Sequence, residues 1–263
     1  MFILKVQYYF VKQKNQTVFY VPHGKQKNVN QEVIIMGKVT SFTPEEIRIL
    51  EAKPSDLLRE KIEATGSEEA LAAFDQLAGM FKACHDNLGV WITYVMDGLY
   101  KQSPDALDKA MYDYLKPIWS KMTEGYWDLP FKDRVVMCVN GAKMSHNVGV
   151  IIDGEDDQKL TFHMNPCGSG QCLYESGIYD GPNGLAKCSP HRMTGGMDNL
   201  PVYCVHAPLG DICAIESGGA PNWVMDYADP VASCACKYIV YKRKEDIPEE
   251  YYTRVGMKKP EYK

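Results

Sequence analysis

Residues 148–164 read Val-Gly-Val-Ile-Ile-Asp-Gly-Glu-Asp-Asp-Gln-Lys-Leu-Thr-Phe-His-Met. Two β-type runs, 148–152 and 160–164, flank an acidic turn that holds Asp153, Glu155, Asp156 and Asp157. This stretch marks a change of character. Further β-type runs follow at 202–205, 223–225 and 238–241, separated by Gly, Pro, Asn and Asp. Before it, from about 43 to 146, the chain reads as helical. Thr43-Pro44-Glu45-Glu46 is a helix start, with a capping Thr, Pro in the first turn and Glu three residues after the cap. Ser55 and Ser67 read as further caps, and Gly66 as a stop between them.

From Glu68 an apolar periodicity runs through Leu71, Phe74, Leu77, Phe81, Leu88, Trp91, Val95 and Leu99. Ser103-Pro104-Asp105 opens another helix, and residues 131–143 form a third candidate that would also suit a strand. Helices followed by strands without regular alternation predict an α+β fold, a helical layer with a mainly antiparallel sheet.

Apolar residues make up 45% of the 263 positions and charged residues 24%, which is ordinary globular usage. The formal charge of −5 gives no reason to expect a nucleic-acid partner. Residues 1–40 carry six lysines against Glu32 alone, and read as a basic β-type extension dispensable to the domain at 41–263. No apolar stretch approaches the ~18–20 residues of a membrane helix, so no membrane partner is expected. The start, Met1-Phe2-Ile3-Leu4-Lys5, lacks a basic leader and reads as a strand rather than a signal peptide. A cytoplasmic location is therefore expected, with the nine cysteines as thiols or ligands rather than disulfides.

Seven of those cysteines lie between 167 and 236. In Phe162-His163-Met164-Asn165-Pro166-Cys167-Gly168-Ser169-Gly170, the glycines free the backbone around Cys167, which reads as a nucleophile or metal ligand. In Val202-Tyr203-Cys204-Val205-His206, a strand would turn Cys204 and His206 to one face. Such a pair suits Zn²⁺ or Fe²⁺, and equally a thiolate–imidazole couple.

Weaker candidates are Glu216 and His163 as catalytic groups, Cys188 with His191, and Cys234 with Cys236 at the head of the last strand. Cys84 and Cys138 read as core, His85 and His146 as structural, with His146 placed to lean over the site. Walker, GxGxxG, HExxH and GxSxG motifs are absent, which disfavours nucleotide chemistry, zincins and α/β-hydrolases.

The segment from Tyr203-Cys204-Val205-His206 to Gly218-Gly219, with Cys234-Ala235-Cys236-Lys237-Tyr238-Ile239-Val240-Tyr241-Lys242, resembles the closing part of vinyl-reductase-type small-molecule-binding domains. The resemblance implies an α+β fold with a metal or small organic molecule held between helices and sheet, and does not imply catalysis.

Three expectations follow. The first is a metal-dependent hydrolase or lyase, with Zn or Fe on Cys167, Cys204 and His206, acting on a small aromatic or heterocyclic substrate. Trp91, Tyr94, Tyr114, Trp119 and Tyr126 would wall its pocket. The second is a sensor domain without catalysis. The third is a cysteine-nucleophile enzyme without metal.

Overall fold

The computed structural model describes residues 39–262, and the expected basic extension lies almost wholly outside them. The chain forms helices α1 (Pro44–Glu51), α2 (Pro54–Glu63), α3 (Glu68–Gln102), α4 (Pro104–Thr123) and α5 (Phe131–His146). Strands β1 (Gly149–Glu155) and β2 (Lys159–Asn165) follow, then α6 (Gly170–Glu175) and the short pair β3 (Lys187–Cys188) and β4 (Leu200–Pro201). The chain closes with α7 (His206–Gly218), β5 (Val224–Asp226), β6 (Lys237–Tyr241) and α8 (Glu250–Thr253). The main sheet has the order β1-β2-β6-β5, antiparallel at every step. This is the α+β arrangement that the sequence pattern predicts.

Local chemistry sets several boundaries. The Thr43 hydroxyl accepts from the Glu46 N–H, and the Glu46 carboxylate accepts from the Thr43 N–H, which closes the capping box of α1. At the other end of α1, the buried Lys143 ammonium donates to the carbonyls of Ile49, Leu50 and Ala52 at 2.8, 2.9 and 3.1 Å. These carbonyls would otherwise lack partners, and a cation there also suits the helix dipole.

In β2 the alternation is regular. Leu160, Phe162 and Met164 are buried, while Thr161 and His163 face the other way. Phe162, Leu160 and Ile152 are fully excluded from solvent, each contributing about 1.5–3 kcal/mol of burial. They sit with Val135, Cys138 and Val139 of α5, so that α5 covers one face of the sheet. Phe162 stacks on Tyr238 across β2–β6, with ring centroids 4.9 Å apart. A second apolar cluster joins α4 to α7 through Leu107, Leu115, Leu209 and Ile212. A Cβ on Gly210 would stand 2.6 Å from the Trp119 ring, so this close seam requires a residue without one.

Four expectations are corrected. Residues 202–205 form a 3-10 turn leading into α7, not a strand. The buried positions Val202, Val205, Leu209 and Ile212 recur at three or four residues, which is a helical period. Cys234 and Cys236 precede β6, which begins at Lys237. Cys84 is exposed on α3 rather than in the core. The acidic turn is partly structural: Asp153 and Glu155 belong to β1, and Glu155 accepts from the N–H groups of Thr40 and Ser41 at 2.9 Å each. Phe42 is buried as well, so folded structure begins ahead of α1.

Candidate functional site

Cys167 follows β2 directly, Cys204 sits in the 3-10 turn before α7, and Cys236 precedes β6. His146 ends α5 and His206 opens α7. All five line one small cavity of about 50 Å³, together with Cys234. Three of the expected site residues, Cys167, Cys204 and His206, are therefore brought to a common space although 37 positions separate the two cysteines. His146 does lean over it. Cys236, a weaker candidate in the sequence, becomes a full member.

Gly170 explains how the sulfurs come close. A Cβ there would stand 3.0 Å from Cys204 Sγ and 4.0 Å from Cys167 Sγ. The two sulfurs are thus at most 7.0 Å apart, the sum of those distances. Gly168 plays the same part for the imidazole, since its Cβ would stand 2.3 Å from His146 Cβ. Among the described residues, no three Cys, His, Asp or Glu side chains already stand at metal-holding spacing.

Electrostatics sets the state of these groups. Burial pushes the Cys204 thiol well above its ordinary value, and the neighbouring Cys167 and Cys236 push it further. Burial also raises Cys236, with Cys167 adding to the effect while backbone N–H groups of Ala228 and Ala232 oppose it. Burial brings His146 down to about 4, with His85 and His206 as neighbouring like charges, so its imidazole is neutral at physiological pH. His206 is exposed in part, but the residues crowded around its ring lower it, against a partly compensating bond to the Tyr203 carbonyl.

The imidazole network assigns the tautomers. His85 Nδ1 lies 3.1 Å from Asp86 Oδ1, and His85 Nε2 lies 2.7 Å from His146 Nδ1. A carboxylate accepts only, so His85 donates from Nδ1 to Asp86; its Nε2 accepts from His146 Nδ1–H when the ring carries one proton and donates to His146 Nδ1 when it carries two. His206 Nδ1–H donates to the Tyr203 carbonyl at 2.7 Å. The neutral His206 ring therefore keeps an unprotonated Nε2, the form that accepts from water or binds a cation, and His146 does the same when it donates from Nδ1 to His85.

The remaining candidates lie elsewhere. His163 sits on the opposite face of β2 from Met164, with Nδ1 2.9 Å from Asp153 Oδ1, and does not line the cavity. Glu216 is on the α4–α7 seam, accepting from Lys116 Nζ at 2.7 Å and from the Tyr112 hydroxyl. Burial opposes its ionisation, but these two bonds outweigh burial and hold its carboxyl below the usual range. Cys188 is fully buried, and His191 caps a 3-10 turn by accepting from Met193 N–H.

The expected aromatic wall does not form. Trp91, Tyr94 and Tyr114 are exposed, Tyr126 is buried in the fold, Trp119 packs on Trp223, and none lines the cavity. A wider cleft of about 610 Å³ adjoins the cavity instead, sharing Tyr227 and Val231 with it and carrying Lys187, Asp198 and Asp229 on its sides. No helix among the described residues is long and apolar enough to cross a membrane. Comparison of the chain with family models, curated proteins and solved structures finds no match.

Proposed function

We propose that the protein is a metal-dependent hydrolase or lyase acting on a small heterocyclic or otherwise polar molecule. Cys167, Cys204 and Cys236 are its metal-binding thiolates. The observation that carries this reading is the convergence of the three sulfurs on one cavity, where burial first, and the neighbouring sulfurs second, raise the thiols of Cys204 and Cys236. Buried thiols of this kind are poor nucleophiles alone, and a bound cation is what deprotonates them together. The donor set suits Zn²⁺, or Fe²⁺ as a second choice. A cavity of about 50 Å³ has room for an ion and a water but not for a substrate. The adjoining cleft of about 610 Å³ has the size of a small-molecule site.

Held by the three thiolates, a cation would keep room for water or substrate beside it and would supply Lewis acidity. The Nε2 of His146, its ring held by the Asp86–His85 chain, would accept a hydrogen bond from a water bound there and orient it. His206, open to solvent at the same cavity, would face the entering molecule. Elemental analysis of protein purified without an affinity tag under anaerobic conditions tests the reading. About one zinc or iron per chain, reduced in Cys204→Ser and Cys236→Ser, is expected.

Metal-free protein with freely reacting thiols would instead favour the cysteine-nucleophile reading. Its support is that Cys167 is only half-buried and that no three donors already stand at metal-holding spacing among the described residues.

A further inference from the structure

Helix α3 is 35 residues long, about 52 Å, and among the described residues only one side of it turns toward its own domain. Phe74, Ala78, His85, Gly89, Thr93 and Met96 are buried or half-buried on that side. Next to it runs a second apolar stripe, Leu77, Phe81, Cys84, Leu88, Trp91 and Val95, spaced 4-3-4-3-4. Every one of these is exposed, Leu77 at 63% and Trp91 at 64%. The charged residues Asp75, Lys82 and Asp86 occupy the far side of the helix.

We propose that this stripe is the interface of a homodimer, in which the α3 helices of two copies pack antiparallel. The spacing is the a/d pattern of a helix pair. It is also symmetric about the level of Asp86. Leu77 and Val95, Met80 and Ile92, Phe81 and Trp91, and Cys84 and Leu88 are equidistant from that level, so a two-fold axis there sets each residue against its counterpart. The exposed stripe with Met80 offers on the order of 700 Å² of side-chain surface, close to the roughly 800 Å² per partner in a standard interface. A second copy presents the same apolar surface and needs no charge match, because no charged side chain lies in the stripe.

The full chain is to be measured by light scattering and sedimentation equilibrium. Twice the chain mass is expected for the wild type. Leu88→Glu and Trp91→Glu should give the monomer with an unchanged circular dichroism spectrum. Across the axis the two Cys84 residues lie four positions apart along the helices, about 6 Å. A short bis-maleimide should therefore link two wild-type chains covalently and fail with Cys84→Ser, a readout that does not depend on the glutamate variants folding. A monomeric wild type at all concentrations overturns the proposal. A Cys84–Cys84 disulfide forming readily on mild oxidation overturns the antiparallel register. A monomer that binds neutral lipid vesicles through the stripe, with binding lost in Trp91→Glu, overturns it in favour of a membrane surface.

Discussion

His85 Nε2 stands 2.7 Å from His146 Nδ1, so the long helix α3 holds the imidazole that closes one side of the cysteine cavity. His85 is in turn fixed by Asp86 on its own helix. Histidine ¹⁵N spectra of the metal-free protein should show His146 and His206 neutral, with protonated Nδ1 and bare Nε2, and His146 unchanged down to about pH 5. His85→Phe should shift His146 toward the other tautomer. An Nε2-protonated His146 in the wild type would contradict the chain of donors.

Thiol accessibility sorts the nine cysteines. Cys84, Cys172 and Cys234 are exposed, Cys138, Cys188 and Cys213 are buried, and Cys167, Cys204 and Cys236 are intermediate. With a thiol reagent on native metal-free protein, the first three should react fast and the next three only on unfolding. The three half-buried cavity thiols should react slowly, and zinc should protect them selectively. Equal protection of Cys84 would show that the effect is not local.

Glu155 gives a pH signature with a defined sign. Burial opposes its ionisation, but Lys242, Ser41 and Thr40 outweigh burial and bring its carboxyl down to about 2. A lowered folded-state pKa contributes stability that is present above the unfolded value, near 4.5, and lost as pH falls through 2. Glu155→Gln should cost about 1 kcal/mol in urea unfolding at pH 7, with the difference from wild type shrinking between pH 4.5 and 2. A difference independent of pH would refute this account of the charge.

Gly168→Ala places a methyl 2.3 Å from His146 Cβ, which nothing flexible can relieve. It should destabilise the protein by about 1–3 kcal/mol and displace His146 from the cavity. Gly79→Ala, which meets nothing within 4 Å on α3, should be neutral or slightly stabilising. Equal effects in the two variants would exclude a specific role for the close approach at Gly168.

Much of the fold is legible because local signals agree with it. The Thr43 capping box, the apolar period from Glu68 and the alternation of Leu160, Phe162 and Met164 each specify their own element. What misled was the run 202–205. Its β-branched residues suggest a strand, while its burial period becomes visible only when Leu209 and Ile212 are counted with it. The site was legible in part, as a concentration of cysteines. Cys236 and His146 belong to it through the β2–β6 pairing and the end of α5, which no spacing along the chain encodes. Glu216 looked available as an isolated carboxylate. Its partners Tyr112 and Lys116 lie about a hundred residues earlier, beyond the reach of local patterns.

The central claim is that Cys167, Cys204 and Cys236 bind one metal ion together. Anaerobic titration of the metal-free protein with cobalt(II), followed by absorption, tests it most directly. The account predicts saturation at one equivalent, visible bands of tetrahedral cobalt, and a near-ultraviolet thiolate charge-transfer band. Replacing any one of the three cysteines by serine should lower that band by about a third, in proportion to the sulfur donors lost. Cys84→Ser and Cys213→Ser should leave it unchanged. A spectrum lacking the charge-transfer band, or one indifferent to all three substitutions, would contradict the account.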